Sequence, residues 1–335
     1  MSKNQYKPFI DIAKFFCALL VVMIHCLEIR SNQIATFIVD CFSAQAVPFF
    51  FIVSGYFVAK KIDSGMKLRS LFNLCAKNWV LLYLVWTLLW LPYYINLYST
   101  RYDSIIMIII VIFRRVFLAG QGVYWYLLVL AEATFVIGVL VRYKLYKVLY
   151  AICFLGLIMG FIYDANIISF GMGRIHQIFY TIFSWSNNVL MKGIPYVGIG
   201  YLFWKKENLI KITAKEATLI YVLSSVGMII IYLMDIKSLL ILYPLQSISL
   251  FLITNKTTES NINTFLTERL GDLSAAIYFL HTAFIYGVID SFLGMGTPIF
   301  LKFLISIIMS IALYFIVIKL RIKPLKWLIG SKLPN

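Results

Sequence analysis

The chain has 335 residues, of which 62% are hydrophobic and 13% charged, with a mean hydropathy of +0.89. Soluble globular chains do not reach such values, so a water-soluble enzyme is excluded. The net charge of +16 falls in short clusters between apolar blocks instead of one dense basic patch, which argues against a nucleic-acid partner and for a topological signal.

Apolar blocks of about 20 residues, the length a helix needs to cross a hydrocarbon core, predict an all-α, polytopic membrane helical bundle. Ten transmembrane helices are expected, near 8–28, 38–59, 78–97, 122–141, 148–163, 189–204, 217–234, 238–254, 273–291 and 298–319. They form a single membrane-embedded domain over 1–335 with no soluble domain. The stretch 104–118 is also apolar, but it is short and ends in Arg114 and Arg115, which suits an interfacial or re-entrant segment.

An even number of spans puts both termini on one side. Placing them in the cytoplasm also puts the basic stretches 60–77, 142–147, 205–215, 256–269 and 319–332 there, with 22 of the 30 lysines and arginines inside and eight outside. The positive-inside rule selects this orientation. The first apolar run carries Asp11 and Lys14 at its start and no small-x-small site at its end, so it is expected to stay as a helix and not be cleaved as a signal. Five cysteines show no CxxC or metal spacing, lie in or beside apolar segments, and read as packing residues; no metal is expected.

Ionisable groups inside a bilayer are costly and usually face a cavity or a partner. His25 follows Lys14 by eleven residues, which is within about 20° of three full turns, so the two share one face of the first helix about 16 Å apart along its axis. Asp11, one turn before Lys14, adds a carboxylate to that stripe. Two readings stand. In one the stripe is a reactive site; in the other Lys14 reaches to lipid headgroups and His25 holds a hydrogen bond between helices. His281, mid-span in the ninth helix, reads either as a second catalytic or binding group or as a structural hydrogen bonder. Glu132, near the middle of the fourth helix, is expected to face the same cavity or to pair with a basic residue. Arg174 and His176 lie in the outer loop 164–188, either binding an acceptor or simply solvated.

Several segments taken in order resemble the acyltransferase-3 family of integral-membrane O-acyltransferases. Asp11-Ile12-Ala13-Lys14 followed by ten residues and His25 resembles that family's helix-1 signature, although the basic residue is usually arginine. Pro48 through Val53 followed by Ser54-Gly55-Tyr56 is similar to its aromatic run ending in Ser-Gly-aromatic. Tyr124-Trp125-Tyr126-Leu127, Gly193-Ile194-Pro195-Tyr196 with Gly200-Tyr201, and Ser274 with Ile277-Tyr278-Phe279-Leu280-His281 resemble its later blocks. Asn187-Asn188 stands where many relatives carry Arg-Asn.

The resemblance implies a bacterial cytoplasmic-membrane enzyme that moves an acyl group, most often acetyl, from cytoplasmic acetyl-CoA or another acyl-CoA to a hydroxyl of a cell-surface or lipid-linked polysaccharide. His25, Lys14 and Asp11 would carry the chemistry, and Ser54, Tyr56, Trp125, Glu132, Arg174, His176, Tyr278 and His281 would line the substrates. The expected partners are the glycan acceptor, the lipid bilayer and other envelope-synthesis proteins. Broken helices and intramembrane His and Glu also suit a transporter or flippase for a glycan or small anion, though the two halves of the chain show no convincing similarity.

Overall fold

The computed structural model describes residues 6–27, 32–120, 122–164, 186–235, 242–257, 263–294 and 296–331. Among them every regular element is helical. Eight helical stretches are long and apolar enough to cross a membrane. The chain divides into two compact units, one built from residues 1–50 and 211–335 and the other from 51–210.

The first unit opens with α1, Pro8–Cys26, where Pro8 occupies the first turn and so costs no helical hydrogen bond. Asn32 accepts from the Ala35 amide at 3.0 Å and starts α2, Gln33–Phe42. A single tighter turn, Ser43–Gln45, joins α2 to α3, Ala46–Asp63, so the helix expected at 38–59 starts earlier and bends just before Pro48. After the second unit the chain returns with α11, Ala214–Leu233, whose start is closed by a reciprocal cap between Thr213 and Glu216. α12 spans Tyr243–Lys256. α13, Thr264–Thr282, is capped by Asn263 and continues through wide π-type turns, Ala283–Ile289, to Phe292. α14, Ile299–Leu320, and the short α15, Lys323–Leu328, complete the unit.

The centre of this unit is the packing of α1 on α13 and α14. Ala18, Val22 and Cys26 of α1 meet Ile277 and Ile285, with Leu19, Phe303 and Ile307 around them. Small residues on α1 let the helices approach closely, which is how membrane helices gain contact energy when lipid removes the hydrophobic drive between them.

The second unit takes α3 from Phe51 and adds α4, Leu68–Cys75, running through the π-type turn Ala76–Val80 into α5, Leu81–Leu89. α6 is Leu91–Ser99, α7 is Ile105–Arg114, α8 is Trp125–Arg142, and α9 is Tyr146–Asp164. α10, Ile194–Lys205, follows a π-type turn whose first amides are capped by Asn188. A Cβ on Gly55 would fall on the Val197 carbonyl, and one on Gly200 on the Ile52 carbonyl. α3 and α10 therefore touch backbone to backbone, a contact only glycine permits.

Three further boundaries differ from the sequence expectation. The third span runs Leu68–Leu89 instead of 78–97. Arg69 and Lys77 read as loop charges, but both are exposed side chains on a helical segment, and Pro92 marks the start of a separate short helix. The ninth begins already at Thr264, because its polar first turns continue the apolar helix instead of ending it. The stretch 104–118 is helical from Ile105 on, then Gly120 and Gly122 at positive φ (70° and 54°) turn the chain into α8. Of the ten expected helices, 189–204 corresponds to the helical run from Val189 to Lys205 and 238–254 to α12, while 238–241 lie outside the described residues.

Candidate functional site

Two polar constellations sit on α1 within the first unit. At its start, the Lys14 Nζ lies 2.7 Å from Asp11 Oδ1, forming an ion pair with both side chains partly accessible. The Tyr6 hydroxyl donates to Asp11 Oδ2 at 2.8 Å and lies 3.1 Å from Thr267 Oγ1, tying the pair to the first turn of α13. Burial and the Asp11 carboxylate hold the Tyr6 phenol above its ordinary pKa, so it remains a neutral donor. Asp11 also lies against the bare α-carbon of Gly271. A carboxylate accepting from both a phenol and an ammonium is fixed in place, and it in turn fixes Lys14.

Near the other end of α1, the half-buried His25 ring faces His281, with ring centres 5.2 Å apart. His281 is 0% exposed, and its Nδ1 lies 3.0 Å from the Ile277 carbonyl one turn back on α13. Its Nε2 is buried, with no hydrogen-bond partner among the described residues. The Tyr278 ring is 6.2 Å from that of His281. The Tyr286 hydroxyl donates to the His25 backbone carbonyl at 3.4 Å, and Ser306 of α14 donates to that of His281 at 3.4 Å. Both histidines are thus held by neighbouring helices. Between the levels of Lys14 and His25 this face of α1 presents Cys17, Ala18 and Val21, all small or short and all buried.

The first unit therefore brings together Asp11 with Lys14, and His25 with His281 and Tyr278, five of the residues singled out in the sequence. Ser54, Tyr56, Trp125 and Glu132 belong to the second unit. There the Ser54 hydroxyl is 3.3 Å from that of Tyr126, Tyr56 donates to Glu207 at 3.3 Å, and the Trp125 ring lies 6.1 Å from Phe51. Glu132 is half-buried, and no basic residue pairs with it among the described residues. Arg174 and His176 lie outside the described residues.

Sequence reasoning missed Tyr6, Thr267 and Gly271 around Asp11, because none carries a charge or a motif. Lys302 is one of the eight basic residues expected outside, and its partner was not marked in the sequence either. In the structure Lys302 is 2% exposed and its ammonium is 2.6 Å from Asp290, at the end of the π-type turns that follow His281. Among the described residues no cluster of three or more His, Cys, Asp or Glu has metal-binding geometry, and all five cysteines are buried.

Paired polar groups inside the first helix of a membrane bundle mark a candidate site, since such groups are costly in a bilayer. The family comparison places it further: the acyltransferase-3 family model, described as an acyltransferase domain, matches residues 7–319, and the chain belongs to that family. It is a multi-pass membrane acyltransferase. No curated protein and no solved structure gives a significant match.

Proposed function

We propose that this enzyme transfers an acyl group, acetyl by preference, from a cytoplasmic acyl-CoA to a hydroxyl of a cell-surface or lipid-linked polysaccharide, and that it does so in the bacterial cytoplasmic membrane with both termini inside. The observation that carries this reading is that one helix, α1, holds a fixed cation near its N-terminal end and an imidazole near its other end, in a chain of an acyltransferase family. The Lys/Arg distribution supports the orientation, with Lys14 toward the cytoplasmic donor and His25 toward the outer acceptor.

His25 acts as general base on the acceptor hydroxyl. Its neutral ring takes the hydroxyl proton as the oxygen attacks the thioester carbonyl; the carbon–sulfur bond breaks, and the departing coenzyme A thiolate takes the proton back. The products are the ester and free thiol, so the step needs no other reactant. Lys14, held by Asp11, offers a positive charge to donor phosphate or to the thioester carbonyl. Family membership favours this chemistry over a transporter or flippase.

The direct test compares acyl content of surface glycans between cells expressing the wild-type protein, cells expressing His25→Ala, and cells lacking the gene. Acetyl esters are expected only with wild type. Equal ester content in all three would overturn the reading.

A further inference from the structure

We propose that His281 is a positioning residue that sets the proton arrangement of His25: its Nε2 accepts the ring N–H of His25 and leaves the other His25 nitrogen unprotonated for the acceptor hydroxyl. This rests on His25 being the base. A carbonyl can only accept, so the 3.0 Å contact from His281 Nδ1 to the Ile277 carbonyl requires the proton on Nδ1. The neutral ring then carries its lone pair on Nε2, the buried atom without a partner. A lone pair in that position is costly unless a donor reaches it.

Among the described residues, His25 is the α1 ring that faces His281. Each ring nitrogen lies about 1 Å from its ring centre, so a straight N–H···N bond puts two imidazole centres about 5 Å apart. The observed separation is 5.2 Å, with the rings tilted by 40°. The bond is open in the structure, and on this proposal His25 turns about its side-chain bonds to close it, while the backbone of His281 is held by Ser306 and its ring by the Ile277 carbonyl.

The chemical consequence is the one a buried hydrogen-bond acceptor has for any catalytic imidazole. It selects one of two tautomers and steadies the imidazolium while His25 carries the extra proton. No proton passes to His281; it only accepts a hydrogen bond, and the proton taken from the acceptor returns through His25 to the thiolate. On this assignment His281 acts through His25 instead of lining a substrate, so its removal is expected to lower kcat and leave the KM for acyl-CoA unchanged.

Two substitutions separate this role from a structural one. His281→Asn keeps a donor that reaches the Ile277 carbonyl but removes the acceptor at the far side of the ring. His281→Gln places an amide oxygen near the lost Nε2. With purified protein in liposomes, radiolabelled acetyl-CoA and envelope glycan as acceptor, His281→Asn is expected to lose about 100-fold or more in kcat at unchanged KM, and His281→Gln to recover much of it. If both variants insert and unfold like wild type and have equal kcat, the proposal is wrong.

Nitrogen-15 NMR of labelled histidine gives a readout that needs no turnover, since the chain has only three histidines. Wild type should show His25 as a single tautomer, and His281→Asn as a mixture; the same mixture in both would overturn the proposal. An active His25→Ala variant would sink the general-base reading itself, whereas an inactive His25→Ala beside a fully active His281→Asn would sink only the pairing.

Discussion

Gly271 of α13 leaves just the space that the Asp11 carboxyl of α1 occupies: a Cβ there would stand 2.6 Å from both Asp11 Cγ and Oδ1. Gly271→Ala must therefore push Asp11 aside, and with it the ion pair to Lys14 and the bond from Tyr6. Overpacking of this kind costs about 1–3 kcal/mol. Thermal unfolding in detergent should show the loss, and the KM for acyl-CoA should rise because Lys14 loses its orientation. An unchanged melting temperature would mean that the helices part without strain.

Lys14 itself is expected to act through charge. Lys14→Ala should raise the KM for acyl-CoA, and Lys14→Arg should keep substantial activity because the cation remains. Equal donor affinity in wild type and Lys14→Ala would remove its assignment to the donor.

Lys302 and Asp290 form a buried pair, so removing one partner strands the other charge. Lys302→Met is expected to destabilise by about 3–5 kcal/mol, and the double variant with Asp290→Leu to regain most of that. The comparison is read by unfolding, where additive losses in the double variant would show that the two do not act as a pair.

The proposed orientation is checked by single-cysteine labelling in a cysteine-free background. Position 67 should react only from the inside and position 103 from the outside, both being exposed. Outside labelling at 67 would invert donor and acceptor sides.

Helical class, most spans and the α1 stripe were legible in the sequence because hydropathy and the 3.6-residue period depend on local chain alone. A separation of eleven positions from Lys14 to His25 suffices to put them on one face, whatever α1 packs against. The early start of α4 was hidden, since Arg69 and Lys77 look like loop charges until a helix is seen to carry them on its exposed side. The partners were hidden for a different reason. Nothing in Tyr6, Thr267 or Gly271 marks them as neighbours of Asp11, and Lys302 looks like a boundary charge until α13 brings Asp290 beside it. His281 stood out, but which of its nitrogens is free became visible only with the Ile277 carbonyl in place.

The first unit is assembled from both ends of the chain, and Tyr286 reaches His25 across 261 positions of sequence. During synthesis α1 enters the bilayer long before the helices that satisfy it exist. Until α13 emerges, Asp11 has neither Thr267 nor Gly271 beside its helix, and His25 has no facing ring. A ribosome stalled before residue 264 would leave in the membrane a helix whose polar stripe has no permanent home. The partners of that stripe, Thr267, Gly271 and His281, all lie beyond residue 263, so α1 gains these polar contacts only when the last third of the chain is in place.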